Sequence, residues 1–396
     1  MYKARNKFDK TLDSFQSIKN KLSNLKESLS NKNCFLGVDG YVDSLYSIVQ
    51  KRKDQNEWKR MDSMASFGNL ITKVAGSSAN IERVLKRKIS GGFAPNSCKA
   101  LIALGIKVFL LAAIGYPKIN EVFKLIDQKS VEAKSFADPG ETLGLEFDDG
   151  KIMLSDFENI FNINWDLLTE RINTDYLIDK FEKSQFIGFG HWSLVISMGE
   201  IWEHLIEEIF PKVANCQQKL FFVDLADLKK RTNEDILNML KILKKMDKLI
   251  PVLLSLNDQE AVDLLKALEI EEFDGIKSNN FQFYADLGLK LNNKIGLTYL
   301  VIHSPHFATI TKNKDHYWVT EGFTSKPKYT TGAGDHFHAG VAAGLACDLT
   351  PPEAILLGNA LTAVFVRTGQ SPNWEQLSTF IKNYMHYLEV DDPNFS

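Results

Sequence analysis

A chain of 396 residues with 44% apolar and 11% aromatic side chains can build one large core and is too apolar to be a disordered chain. Its 47 basic and 50 acidic side chains leave a formal charge of -3, which gives no electrostatic footprint for nucleic acid or an anionic membrane, so neither is an expected partner. Cys34, Cys98, Cys216 and Cys347 form no C-x-x-C pair or disulfide framework, no run is long enough to span a membrane, and the polar start lacks the apolar stretch of a signal peptide, so a cytoplasmic protein with reduced thiols is expected.

Residues 1–32 carry Phe8, Leu12, Phe15, Ile18, Leu22, Leu25 and Leu29 at spacings of three or four. Such a stripe predicts a helical N-terminal extension, packed on its own subunit in preference to a coiled coil with a partner. Residues 33–396 read as one α/β core. Short apolar runs at 34–38, 108–114, 186–189, 220–223, 251–256 and 298–302 alternate with helical stretches, which predicts a mainly parallel central sheet covered by helices. Asp39, Gly115, Gly190-His191, Asp224, Asn257 and His303 follow these runs. Open α/β sheets bind ligands beyond the carboxyl ends of their strands, so these residues are expected to converge on one edge. Two regions interrupt the rhythm, 43–62 and 141–154. The second alternates, turns at Asp148-Asp149-Gly150 and alternates again, which predicts a β-hairpin. Residues 71–86 are expected to be helical, and the polar tail after Asp391 to be loose.

The stretch from Tyr329 to Asp335 reads Tyr-Thr-Thr-Gly-Ala-Gly-Asp and runs into a small-residue helical pattern at Phe337, Gly340, Val341, Gly344 and Leu345. Gly332, Ala333 and Gly334 present almost no side chain, so their N–H groups can point together at a helix N-terminus, where negative charge is favoured. Asp335 sits beside that turn. An anion held next to a general base points to phosphoryl transfer onto a hydroxyl. A capping carboxylate is the plainer alternative, but a cap alone does not need the small-residue turn.

This stretch resembles the C-terminal signature of the PfkB, or ribokinase-like, family of sugar kinases, Asp-Thr-x-Gly-Ala-Gly-Asp. Two more motifs follow the family's order: Gly91-Gly92-Phe-Ala-Pro-Asn96 is similar to its Gly-Gly-x-x-x-Asn sugar-binding turn, and Asn257-Asp-Gln-Glu260 to its Asn-x-x-Glu motif. The resemblance spans Gly91 to Asp335. It implies a ribokinase-like three-layer α/β fold with a mainly parallel central sheet and a small β-sheet lid. The lid would be formed near 43–62 and 141–154 and would close over the sugar; a homodimer through it is a further expectation. The resemblance also implies site roles. Asp335 would be the general base, and Thr331, Gly332, Ala333 and Gly334 would hold the transferring charge. Asp43, Gly91, Gly92 and Asn96 would grip sugar hydroxyls, Asp43 being preferred to Asp39 by its spacing from Gly37. Asn257 and Glu260 would organise Mg²⁺ through water, although the same residues alone would make a helix cap. Asn359, within Gly358-Asn359-Ala360, would lie on the adenine side with Arg367-Thr368-Gly369 and Ser371-Pro372, patterns that ordinary helix packing also produces.

The chain departs from the family pattern at three places. Tyr329 replaces an Asp that often helps to bind an activating monovalent cation, His303-Ser304-Pro305-His306 replaces the Thr-x-Gly nucleotide loop, and Gly115-Tyr116-Pro117 replaces Gly-Asp-Asp. Asp224 is assigned either to the nucleotide or to a turn cap. His191, His303, His306, His336 and His338 show no metal-ligand spacing. The expected function is a sugar kinase that moves the terminal phosphoryl group of ATP to a hydroxyl of a monosaccharide or related polyol, with Mg²⁺. The alternatives are an ADP-dependent sugar kinase, towards which the histidine loop points, a nucleoside kinase of the same fold, and a catalytically silent sugar- or nucleotide-binding regulator.

Overall fold

The computed structural model describes residues 2–126, 130–270 and 281–395. Its strands are β1 (Asn33–Val38), β2 (Tyr41–Arg52), β3 (Trp58–Arg60), β4 (Arg83–Gly91), β5 (Lys107–Ala112), β6 (Val131–Ser135), β7 (Gly140–Phe147), β8 (Gly150–Asp156), β9 (Phe186–Gly190), β10 (Leu220–Asp224), β11 (Val252–Asn257), β12 (Tyr299–Ser304), β13 (Phe307–Lys312) and β14 (Asp315–Thr320). Nine of them form one sheet in the order β14-β13-β12-β11-β10-β9-β1-β5-β6. All pairings from β12 to β6 are parallel, and β12, β13 and β14 pair antiparallel at the other end. The central strands are apolar throughout because both faces are covered. Successive residues then go to opposite faces. Phe35, Phe109, Phe221 and Leu254 enter one core cluster, while Leu36, Leu110, Phe222 and Leu253 enter the other.

The six predicted runs are all strands, with ends shifted by one or two residues. The helix Thr11–Ser30 buries Ile18, Leu22, Leu25 and Leu29 in the second cluster, and Lys21 places its ammonium 2.7 Å from Glu353 of the helix Pro351–Thr368. The remaining strands form a separate five-stranded sheet, in which β2 pairs with β3, β4 and β7, and β7 with β8. The hairpin β7–β8 turns at Asp148-Asp149, with Phe147 opposite Gly150.

Two expectations are corrected. Residues 71–86 do not form one helix. A helix Met64–Val74 ends before Gly76, whose φ is +81°, and β4 then runs antiparallel to β2 from Ile48↔Arg83 to Tyr41↔Gly91. The helical spacing over this stretch comes from a mostly exposed strand, where apolar positions are not forced into a period of two. The C-terminal tail is also held down. Asp391 accepts from the Ser325 N–H at 3.0 Å, and the Asp392 carbonyl accepts from Arg367 Nε at 2.8 Å. No described helix is long and apolar enough to cross a membrane.

Two helices fix the height of the turn at Gly332: Ala333–Ala346, which starts there, and Pro351–Thr368, which crosses it. Their backbones meet at glycines, since a Cβ on Gly340 would lie 2.8 Å from the Gly358 Cα. This close approach requires glycine at Gly358. Gly340→Ala is expected to destabilise the fold by about 1–3 kcal/mol through overpacking. Urea unfolding checks this, and an unchanged midpoint would contradict the close approach.

Candidate active site

The carboxyl ends of β1, β9, β10, β11 and β12 deliver Asp39, His191, Asp224, Asn257 and His303 to one edge of the large sheet. There they meet the N-terminus of the helix Ala333–Ala346. Gly332 enters it at φ +87°, and a Cβ there would also come within 3.0 Å of Asn96 Nδ2, so both backbone and space require glycine. The Ala333 N–H is used by the Thr330 carbonyl at 3.1 Å. Those of Gly334 and Asp335 have no acceptor among the described residues, which leaves them for an anion.

Asp335 is buried, and its Oδ2 accepts from Asn96 Nδ2 at 2.9 Å. Asn96 cannot turn its amide over without loss. Its Oδ1 accepts from Lys99 Nζ at 3.2 Å, and Lys99 is itself fixed by the Ser90 carbonyl at 3.0 Å. On the other side of Asp335 lies His191, with Nε2 3.9 Å from Asp335 Oδ1 and 4.0 Å from Asp224 Oδ2, and Nδ1 2.8 Å from Asp39 Oδ2. Asp39 also accepts from the N–H groups of Phe93 and Ala94, each at 3.0 Å, so it caps the helix Phe93–Ala103 and orients His191 together.

The charges alternate. Burial opposes a charge on His191, but Asp39 and Asp224 overcome it and raise the imidazole to about 10. Burial opposes ionisation of Asp224 too, yet His338 and His191 hold it well below the usual carboxylate range. For Asp335, burial raises the carboxyl, His191 pulls it down and Asp224 pushes it up; it ends above its ordinary range. His338 Nδ1 lies 3.0 Å from Asp224 Oδ2, and its Nε2 lies 3.1 Å from His303 Nε2. His303 is lowered to about 3, by burial and then by His338, so it is neutral. One atom each of His191, Asp224 and Asp335 lie within 4.8 Å of one another, a spacing that a metal could bridge. At that spacing the three groups act on one another's ionisation.

Two cavities flank the turn. One of about 480 Å³ is lined by Asn257, His303, Phe323, Gly334, Phe337 and Thr362. The other, of about 830 Å³, lies against the small sheet and is lined by Asp43, Gly91, Asn96, Lys99, Tyr329 and Thr331. Asp43 is buried, which raises its carboxyl. A Cβ on Gly91 would lie 2.5 Å from Asp43 Oδ2, and Gly92 has φ +104°, so the paired glycines are needed. Lys151 of β8 reaches across to donate to Thr331 Oγ1 at 2.7 Å, which ties the small sheet to the turn.

Asn257 and Glu260 form the reciprocal cap of the plainer reading. Asn257 Oδ1 accepts from the Glu260 N–H at 2.8 Å, and Glu260 Oε2 accepts from the Asn257 N–H at 2.9 Å. Glu260 Oε1 has no partner among the described residues, and burial and then Asp224 raise the group to about 8. A cation would relieve that crowding of acids, so these residues fit Mg²⁺. Asn359 lines neither of these two cavities. It is fully buried and donates to Tyr384 Oη at 3.3 Å, while Thr362 and Val366 of the same helix line the smaller cavity. Arg367 is also internal, donating to the carbonyls of Gly322, Phe323, Ala363 and Asp392. The sequence missed His191, His338, Lys99 and Lys151. The place of His191 directly after a strand was its one signal.

A buried carboxylate at a small-residue helix N-terminus, on the carboxyl edge of a parallel sheet with a separate small sheet beside it, defines a ribokinase-like carbohydrate kinase. The fold is shared with the ribokinase of Cryptococcus neoformans in complex with ADP, at a TM-score of 0.60 and 14% identity over 88% of this chain and 99% of that one. It is shared equally with Arabidopsis thaliana ribokinase complexed with ribose and ATP, at 0.59 and 12% over 89% and 98%. The profile of prokaryotic ketohexokinase matches residues 9–384, and the chain belongs to that family. Ketohexokinase of Haloferax volcanii is 25% identical over 368 residues, covering 92% of this chain and 95% of that protein. The chain is therefore a sugar kinase of an ATP-using family, a phosphotransferase that acts on a sugar hydroxyl.

The Lys151–Thr331 hydrogen bond joins the small sheet to the turn, beside the contacts of Arg87 and Lys151 with the Tyr329 ring. Lys151→Met is expected to speed amide hydrogen exchange in β7 and β8 by local opening. Exchange mass spectrometry reads this out, and unchanged protection there would show that the bridge does not hold the sheet.

Proposed function

We propose that the chain phosphorylates a ketohexose with ATP as donor and Mg²⁺ as cofactor, Asp335 acting as general base. The observation that carries this reading is the place of Asp335, between a cavity on the small-sheet side and one on the side of the free Gly334 N–H. The acceptor hydroxyl gives its proton to Asp335 as its oxygen bonds to the terminal phosphorus, and the bond from that phosphorus to the bridging oxygen breaks to release ADP. The Gly334 and Asp335 N–H groups would hold the charge of the transferring group. Asp43, Asn96 and the Gly91-Gly92 backbone would hold the sugar, with the small sheet as a lid over it. Glu260 and Asn257 would hold Mg²⁺ through water, and the ion when bound would offset phosphate charge. The histidine loop that pointed towards ADP has another use, since His303 is engaged with His338. The four cysteines are unpaired, which suits a reducing cytoplasm.

Asp335→Asn keeps the shape and removes the base. Its kcat on a ketohexose with ATP is expected to fall by roughly 10² to 10⁴-fold, with nucleotide affinity little changed. In the wild type, Asp335 must be ionised to accept a proton, and its carboxyl is raised. The rate should therefore fall as pH drops through a value above the ordinary carboxylate range. A rate that stays level down to pH ~4, or a variant that turns over normally, would remove Asp335 from this role.

Glu260→Gln preserves the cap, because Gln also serves at that position, and removes the charge. The Mg²⁺ concentration for half-maximal rate is expected to rise. An unchanged Mg²⁺ dependence would leave Glu260 as a cap only.

A further inference from the structure

Glu321 stands immediately after β14, and its N–H donates to the His306 carbonyl at 3.0 Å, which fixes it opposite the loop that follows β12. The residue is only 8% exposed, yet its carboxyl group has no hydrogen bond or ion pair among the described residues. The nearby cation does not engage it. Arg367 gives its donors to four main-chain carbonyls instead. Burial raises the carboxyl to about 8, against a partial pull from Arg367. The carboxyl group lines a cavity, where a ligand that supplies donors would give it the partners that the described residues do not.

The cavity it lines is the smaller one. Beyond Glu321 the walls there are largely apolar, with Pro305, Phe323, Pro327, Phe337 and Val366 among them. Phe323 is 36% exposed, with its ring centroid 4.3 Å from that of His306, so an aromatic face stands at the same cavity. Largely apolar walls, the Phe323 ring and the unpaired Glu321 carboxyl suit a planar base with its ribose, while Gly334 offers its N–H to phosphate from the same cavity. We propose that Glu321 is the specificity residue for the nucleoside part of the donor, accepting hydrogen bonds from its N–H or O–H groups while the base lies against Phe323. This rests on the reading of the cavity as the ATP site.

The test compares ATP with ITP, which lacks the exocyclic amine, and with 2′-deoxy-ATP and 3′-deoxy-ATP, on the wild type, Glu321→Gln and Glu321→Ala. The wild type should lose about 10- to 100-fold in KM with at least one analogue, which names the group that Glu321 reads. Glu321→Ala should raise the KM for ATP by a similar factor, abolish the discrimination, and leave the sugar KM within about twofold. Glu321→Gln keeps one acceptor and the side-chain shape, and should fall between the two. Equal KM values for all four nucleotides in the wild type would overturn the proposal. So would variants that lose sugar and nucleotide affinity in parallel, the mark of a structural defect. Calorimetric titration of the wild type with the same nucleotides needs neither turnover nor a folded variant. Discrimination there in the absence of sugar phosphorylation would fault the ketohexose reading and leave the nucleoside proposal standing, and equal binding of all four would reject it.

Discussion

The carboxyl group of Asp335 is buried, and an isolated buried carboxylate would simply hold its proton. The surrounding site prevents that outcome only in part. Asn96 donates to it at 2.9 Å, and the His191 imidazolium stands 3.9 Å away. His191 is charged because Asp39, 2.8 Å behind it, and Asp224 together outweigh its burial. Asp224 pushes the other way, and His338 limits its effect by pairing with it at 3.0 Å. Acids and histidines therefore alternate along the sheet edge, so that each buried charge has an opposite neighbour. The result is a carboxyl raised above its ordinary range but still able to ionise, which is the state that a proton acceptor near neutral pH needs.

That network can form only where several strands end together. Parallel strands bring their carboxyl ends to one edge, and β1, β9 and β10 are adjacent, so Asp39, His191 and Asp224 arrive as neighbours. The helix that carries Asp335 must then sit at a set height above the edge. The glycine contact between Gly340 and Gly358 sets it from behind, and Gly332 sets the direction of entry. Asp39 links the two requirements, because the same carboxylate caps the helix bearing Asn96 and orients His191.

Much of this was legible in the sequence, for definite reasons. Continuous apolar runs revealed the buried strands, and the small-residue turn before Asp335 marked the helix start that stands there. Strand β4 was missed because an exposed strand has no need of strict alternation, and its spacing imitated a helix. The short antiparallel strands β13 and β14 and the edge strand β6 were not anticipated either. Within the site, residues fixed by backbone chemistry were placed well: Gly91, Gly92 and Gly332 need their conformations or their space locally. Residues whose meaning depends on the direction of a side chain were not. Asn359 and Thr362 are three positions apart on one helix, and only packing shows that Thr362 lines the cavity and Asn359 meets Tyr384. The histidines were discounted for lacking metal spacing, because the relation of His191 to Asp39 and Asp224 runs across three strands and leaves no linear pattern.

Two of the three departures from the family pattern fall at the margins of the site. His303 and Pro305 lie on or just beyond β12, where the sheet turns antiparallel, and Tyr329 lies beside the small sheet with the Arg87 guanidinium 5.9 Å and the Lys151 ammonium 5.5 Å from its ring centroid. The parallel strands between these margins carry the charges around Asp335. A change in that interior disturbs several coupled ionisations at once, since His191 touches three acids and Asp224 two histidines. A change at Pro305 or Tyr329 alters the wall of one cavity, whereas His303 reaches the network itself through His338. The cavity walls at Pro305 and Tyr329 are therefore free to diverge while the turn before Asp335 keeps its glycines.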